Sequence, residues 1–309
     1  MKYGYVCVTA AYVIWGLLTI YWKFLEDLSP LYILSARIVY SFFFCVLLVL
    51  LKKNWPQIKK ELSQPKRMVR IAAAGALVTL NWGTYIAAVN TGHILDASMG
   101  YYLNPLVVVL FGVIFFKEKL NVWEGTSIMI AALGVLIMLL RYGHLPWIAA
   151  VLAFSFAAYG AIKKTLNLDS LTSLTLETVS MFPIFAVILF HMDYSGQGAM
   201  EFGWPMMLLA ISTGVVTAIP LLLYGVAVRT IPFSILGFFQ YISPTISLVI
   251  GLVLYGETLT VEDLMTFVFI WVALLIFLGH SIFKLWEEKH HKAEKQHLEI
   301  KTDNHKQLS

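Results

Sequence analysis

Two ionisable side chains of opposite sign stand where charge is expensive. Arg37 lies about seven residues into an apolar run near 31–51, and Glu177 about seven residues into another near 171–190. A charge at membrane depth survives when it faces a cavity or a partner. Two kinds of chemistry fit: lining a water-accessible path that binds a charged solute or a proton, or steadying a helix bundle by snorkelling or pairing. Neighbouring runs carry polar and aromatic groups: Asn81, Trp82, Tyr85 and Asn90, then Ser98, Tyr101, Tyr102 and Asn104, then Gln240 and Tyr241 ahead of Pro244. Asn81 and Tyr85 are four residues apart, as are Ser98 and Tyr102, so each pair shares one helical face. Pro105 and Pro244 each free a carbonyl and bend their helix, so these groups suit a central cavity; interhelical hydrogen bonding is the structural alternative. Trp15 and Gly16 of the first run have Tyr159 and Gly160 of the sixth as partners, and close packing explains the glycines as well as substrate contact does.

The remaining charged groups read as structural. Glu118 and Glu257 end the fourth and ninth runs, where a carboxylate is solvated or salt-bridged. Asp96 before Ala97 and Ser98 reads as a helix N-cap, and His93 sits in the short turn before it. Cys7 and Cys45 lie in apolar runs and act as small hydrophobes. His290, His291, His297 and His305 fall in a polar tail, read as solvated chain in preference to a metal site. The chain has no phosphate loop, no H-E-x-x-H, no G-x-S-x-G and no Cys-x-x-Cys. No enzyme, cofactor or metal centre is expected.

The elements that position these residues follow from composition. Of the 309 residues 59% are hydrophobic and 13% charged, with a mean hydropathy of +0.78, against about 25% charged in a soluble domain. Span-length runs recur near 3–22, 31–51, 69–90, 94–116, 122–140, 145–163, 171–190, 205–228, 233–255 and 261–283. They are too long for barrel strands and do not alternate, so the fold class is all-α integral membrane with ten transmembrane helices. The first run reads as a retained span, not a cleaved leader. With Lys2 inside, the inner segments also hold Lys52, Lys53, Lys59, Lys60, Lys66, Arg67, Arg70, Lys117, Lys119, Lys163, Lys164, Arg229 and the tail lysines, whereas the outer loops hold Lys23 and Arg141. The bias places both termini in the cytoplasm and 191–203 outside. It also accounts for the pI of about 8.9 without a nucleic-acid surface.

The chain repeats itself. A shift of 139 brings Tyr85 onto Tyr224, Thr91 onto Thr230, Tyr102 onto Tyr241, Pro105 onto Pro244, Gly112 onto Gly251, Glu118 onto Glu257 and Leu120 onto Leu259. A shift of 140 places Leu28 on Leu168, Leu31 on Leu171, Leu34 on Leu174, Val39 on Val179 and Arg37 on Glu177. Two halves, 1–141 and 142–283, each with five spans, precede a polar cytoplasmic tail at 284–309. An odd number of spans per half inverts the second half, the architecture of alternating access. Inversion also puts Arg37 and Glu177 at equal depths from opposite faces, a vertical gap of about 12 Å.

The strings Asn81-Trp82-Gly83-Thr84-Tyr85, Ala88-Val89-Asn90-Thr91-Gly92-His93-Ile94-Leu95-Asp96-Ala97-Ser98-Met99-Gly100-Tyr101 and Asn104-Pro105-Leu106 resemble the RarD branch of the EamA family, within the drug/metabolite transporter (DMT) superfamily. Tyr12-Val13-Ile14-Trp15-Gly16-Leu17-Leu18, Leu174-Thr175-Leu176-Glu177-Thr178 and Gly237-Phe238-Phe239-Gln240-Tyr241-Ile242-Ser243-Pro244-Thr245 add to the resemblance. It covers residues 1 to about 283 and implies two EamA repeats and permease activity in the cell membrane, under a label of chloramphenicol sensitivity or resistance. The branch usually has a His just before the second-span arginine, where this chain has Ala36. The candidate substrate-binding set is Trp15, Arg37, Asn81, Trp82, Tyr85, Tyr101, Tyr102, Asn104, Glu177, Gln240 and Tyr241. The expected partners are a lipid bilayer, a small-molecule substrate and, as an option, a coupling proton. A non-transporting receptor or scaffold and an intramembrane enzyme are the rival readings. The first has no use for inverted halves and the second lacks a convergent acid/base set.

Overall fold

The computed structural model describes residues 2–91, 93–142, 147–256, 264–265 and 267–280. Helices fill them: α1 (Lys2–Lys23), α2 (Pro30–Leu51), α3 (Trp55–Leu62), α4 (Pro65–Asn90), α5 (Ile94–Phe116), α6 (Val122–Tyr142), α7 (Trp147–Leu166), α8 (Ser170–Tyr194), α9 (Trp204–Thr230), α10 (Phe233–Gln240), α11 (Ile242–Leu254) and α12 (Phe267–His280), with a single 3-10 turn at Ala199–Phe202. Among the described residues eight segments are long and apolar enough to cross a membrane, α10 and α11 counting as one; Val122–Ile137 in α6 and α12 are shorter apolar helices. The span expected near 261–283 is described only at 264–265 and 267–280, and the tail with its histidines lies outside the described residues.

Local chemistry sets the helix ends. Ser29 accepts the Tyr32 N–H ahead of Pro30, Asp169 accepts those of Leu171 and Thr172, and Asn121 and Glu124 form a reciprocal capping box at the start of α6. The helix containing Asp96 begins earlier than expected: its cap residue is His93, and Asp96 is buried in the first turn with Oδ1 free of any hydrogen bond among the described residues. Pro244 has no N–H for the Gln240 carbonyl, and the ninth run breaks at Tyr241 into α10 and α11. The outward faces carry Phe43, Leu47, Val113, Phe115, Leu140, Phe190 and Val253, the apolar exposure that lipid solvates.

Packing interleaves the two halves of the chain. The helix α2 packs on α8 and α9, α4 on α7 and α8, α5 on α7 and α10, and α1 on α9 and α11. Two glycines let helix backbones of the cavity region approach closely. A Cβ on Gly214 would strike the Tyr40 backbone, and one on Gly75 would lie 2.9 Å from the Glu177 carbonyl oxygen. The first turns of α8 are enclosed from Ser170 to Thr178, polar and apolar residues alike.

Candidate functional site

Arg37 and Glu177 line one cavity at the junction of α2, α4, α8 and α9, together with Ile38, Ser41, Gly75, Val78, Thr79, Trp82, Leu174, Thr178, Met181, Thr217 and Leu221. The cavity is tight, about 20 Å³ for the centre of a water molecule, room for about one water. A metabolite enters only if the surrounding helices part.

The two charges solve their burial differently. The Arg37 guanidinium lies over the rings of Trp22 and Trp82, 4.6 and 4.1 Å from their centroids, and its Nε donates to Thr217 Oγ1 at 3.1 Å. Among the described residues no carboxylate is within ion-pair distance of it. Glu177 is matched. Lys163 Nζ donates to its Oε1 at 2.6 Å and to Ser173 Oγ at 3.1 Å; Ser173 Oγ donates to the same Oε1 at 2.5 Å, and Tyr159 OH to Oε2 at 3.1 Å. Lys163 and Glu177 side chains are 3% and 2% exposed. In the sequence Lys163 is one of the inner lysines, and nothing in its spacing marks it as the partner of Glu177. Its position three residues from the end of α7, beside Lys164, resembles a loop charge. Trp22 and Thr217 carried no sequence signal that set them apart from their runs.

The other candidates divide. Trp82 lines the cavity over Arg37, and Tyr85 and Tyr101 stack edge-on at 5.6 Å within electrostatic reach of the guanidinium. Asn81 is spent on packing: its Nδ2 donates to the Leu152 carbonyl and to Ser155 Oγ on α7. Tyr241 OH donates to the Tyr102 carbonyl, and the Tyr102 ring meets Phe267. Trp15 joins Tyr12, Phe156 and Tyr224 in an aromatic cluster, and Tyr159 stacks on Tyr224. Gly16 faces Ile246, whereas Gly160 faces Tyr224 and Phe233. Gln240 is buried with its amide facing the Tyr12 hydroxyl, and Asn104 Oδ1 makes no hydrogen bond among the described residues.

Glu118 caps a helix that has no side-chain cap of its own. Its two oxygens accept the Phe233 and Ser234 N–H groups at 2.7 Å each, and Lys164 Nζ stands 3.7 Å away. Glu118→Ala is expected to lower stability by about 1–2 kcal/mol, read as a fall in the thermal-unfolding midpoint in detergent, with Glu118→Gln losing less because it keeps one acceptor. An unchanged midpoint for Glu118→Ala would remove the cap. Glu257, which the 139-residue shift lays on Glu118, lies outside the described residues.

Interleaved apolar helices around a polar, partly charged cavity define a multi-pass membrane protein of the transporter class. The model of the EamA-like transporter family matches residues 2–140. Protein RarD of Salmonella typhi is 39% identical over 287 residues, covering 91% of this chain and 96% of that protein. The "Uncharacterized transporter YojE" of Bacillus subtilis (strain 168) is 42% identical over 281 residues, covering 89% and 93%. A crystal structure at 14% identity superposes with a TM-score of 0.69 over 88% of this chain and 96% of its own, a likeness of fold alone. The chain belongs to the EamA family as a RarD-type permease of the DMT superfamily.

Proposed function

We propose that this protein moves a small metabolite or drug-like solute across the cell membrane by alternating access, with ten spans in two inverted halves, 1–141 and 142–283, and both termini in the cytoplasm. The observation that carries the reading is the cavity itself. Its walls come from α2 and α4 of the first half and from α8 and α9 of the second, the second and third spans of each half, so it sits on the repeat interface where such transporters bind substrate. The reciprocal packing of α1 on α9 and α11 and of α7 on α4 and α5 supports the inverted repeat. The short apolar helices within α6 and at α12 supply the fifth and tenth spans. The lysine-rich end, where Arg67 and Arg70 of α4 reach Leu166 and Thr165 of α7, is the cytoplasmic one.

Cells lacking and overproducing the protein, compared for accumulation of a panel of labelled metabolites and drugs including chloramphenicol, should differ for at least one solute. A panel without any difference favours the receptor or scaffold reading. Orientation is read separately. Cys7 and Cys45 are buried, so Ser195→Cys should react with an impermeant maleimide in intact cells while Lys60→Cys does not, and the opposite pattern reverses the topology.

A further inference from the structure

We propose that Arg37 is the recognition site for the carboxylate of a small organic monoanion, whose apolar body meets the rest of the cavity lining when the surrounding helices part. The inference rests on the permease reading and names its substrate class.

The charge balance of the cavity is the first argument. Its two charged lining residues are Arg37 and Glu177, and Lys163 neutralises Glu177, which leaves one positive charge over. The repeat shows how this arises. The counterpart of Lys163 under the 140 shift is Lys23, which stays exposed at the other end of the bundle and pairs with Glu26. The second half thus brings a cation to its buried acid, and the first half brings no acid to its half-buried cation. An uncompensated charge in a low-dielectric site favours an anion that enters it.

The geometry selects the kind of anion. With the rings of Trp22 and Trp82 against the guanidinium and only Nε engaged, Nη1 and Nη2 make no hydrogen bond among the described residues. Their parallel N–H groups match the two oxygens of a carboxylate. A phosphate dianion would bury one charge more than the cavity balances. Apart from the hydroxyls of Ser41, Thr79 and Thr178, the remaining side chains of the lining, Ile38, Val78, Leu174, Met181 and Leu221, are apolar and suit an alkyl or aryl body, not a second ionised group.

The test uses the purified full-length protein in lipid nanodiscs, with binding measured by calorimetry. Probes are butyrate, hexanoate and phenylacetate, their neutral amides, inorganic phosphate and chloride. At least one acid should bind about tenfold or more tightly than its amide, and Arg37→Gln should abolish that preference. Arg37→Lys, which keeps the charge and loses the fork, should retain part of it. Should Arg37→Gln fail to fold, the acid-against-amide comparison on the unaltered protein decides alone. Amides that bind as well as acids, an acid preference that survives Arg37→Gln, or binding confined to phosphate or chloride would each overturn the proposal. Flux in proteoliposomes separates it from the reading beneath it. Acid-selective binding with no flux of any solute leaves this site standing and fails the permease, whereas flux without acid preference does the reverse.

Discussion

Replacing Lys163 with methionine is expected to destabilise the protein by about 3–5 kcal/mol, the penalty for stripping one partner from a buried ion pair. The two side chains are almost fully enclosed, with 2.6 Å between Nζ and Oε1. After the substitution Glu177 keeps the neutral donors Ser173 and Tyr159 but no cation. Glu177→Gln should lose less. Lys163 stands three residues from the end of α7, close enough for a long side chain to snorkel toward water once its partner is gone, whereas Glu177 is held seven residues inside α8. The double variant, Lys163→Met with Glu177→Gln, carries no uncompensated charge and should lose clearly less than the sum of the two, by about 2–3 kcal/mol of coupling. Unfolding midpoints in one detergent, taken as a double-mutant cycle, measure it. Strictly additive losses would mean the pair does not act as a unit.

Much of this arrangement was legible before any coordinates, and the reasons are physical. Apolar runs of span length report helices directly because a bilayer permits little else. Charges inside such runs report a cavity because lipid tolerates them nowhere else, which is how Arg37 and Glu177 stood out. The partners of those charges were harder to see. Lys163 sits where a topogenic lysine would sit, and only the depth at which α7 packs brings it into the core. Trp22 and Thr217 are ordinary members of their runs until α1 and α9 close on α2. Asn81 shows the converse: a polar residue at a cavity-like position whose amide is committed to the Leu152 carbonyl, because a helix pair in lipid uses such groups as glue. The eight-residue α3 escaped notice for a different reason: Trp55–Leu62 is amphipathic and lies in a lysine-rich loop, so it contributes no span signal.

The 140-residue shift that lays Arg37 on Glu177 invites a further experiment, in which the two charges are exchanged. Arg37→Glu combined with Glu177→Arg is expected to abolish transport and to be less stable than either single variant. In the exchanged protein the new arginine meets the ammonium of Lys163 where a carboxylate stood 2.6 Å from it, placing two cations in an enclosed site. The new glutamate faces the rings of Trp22 and Trp82, which now lie 4.6 and 4.1 Å from a cation and whose negative faces repel a carboxylate. Neither fault corrects the other, because the partners of the two residues are different groups on different helices. Exchange within the true pair is the control: Lys163→Glu with Glu177→Lys restores opposite charges at one place and should recover most of the stability that either single change loses. Solute accumulation and unfolding midpoints, measured on all six variants, separate the cases. Recovery of transport by the Arg37–Glu177 exchange, with none by the Lys163–Glu177 exchange, would make the first two residues a gate across the cavity and overturn the assignment of Lys163 as the partner of Glu177.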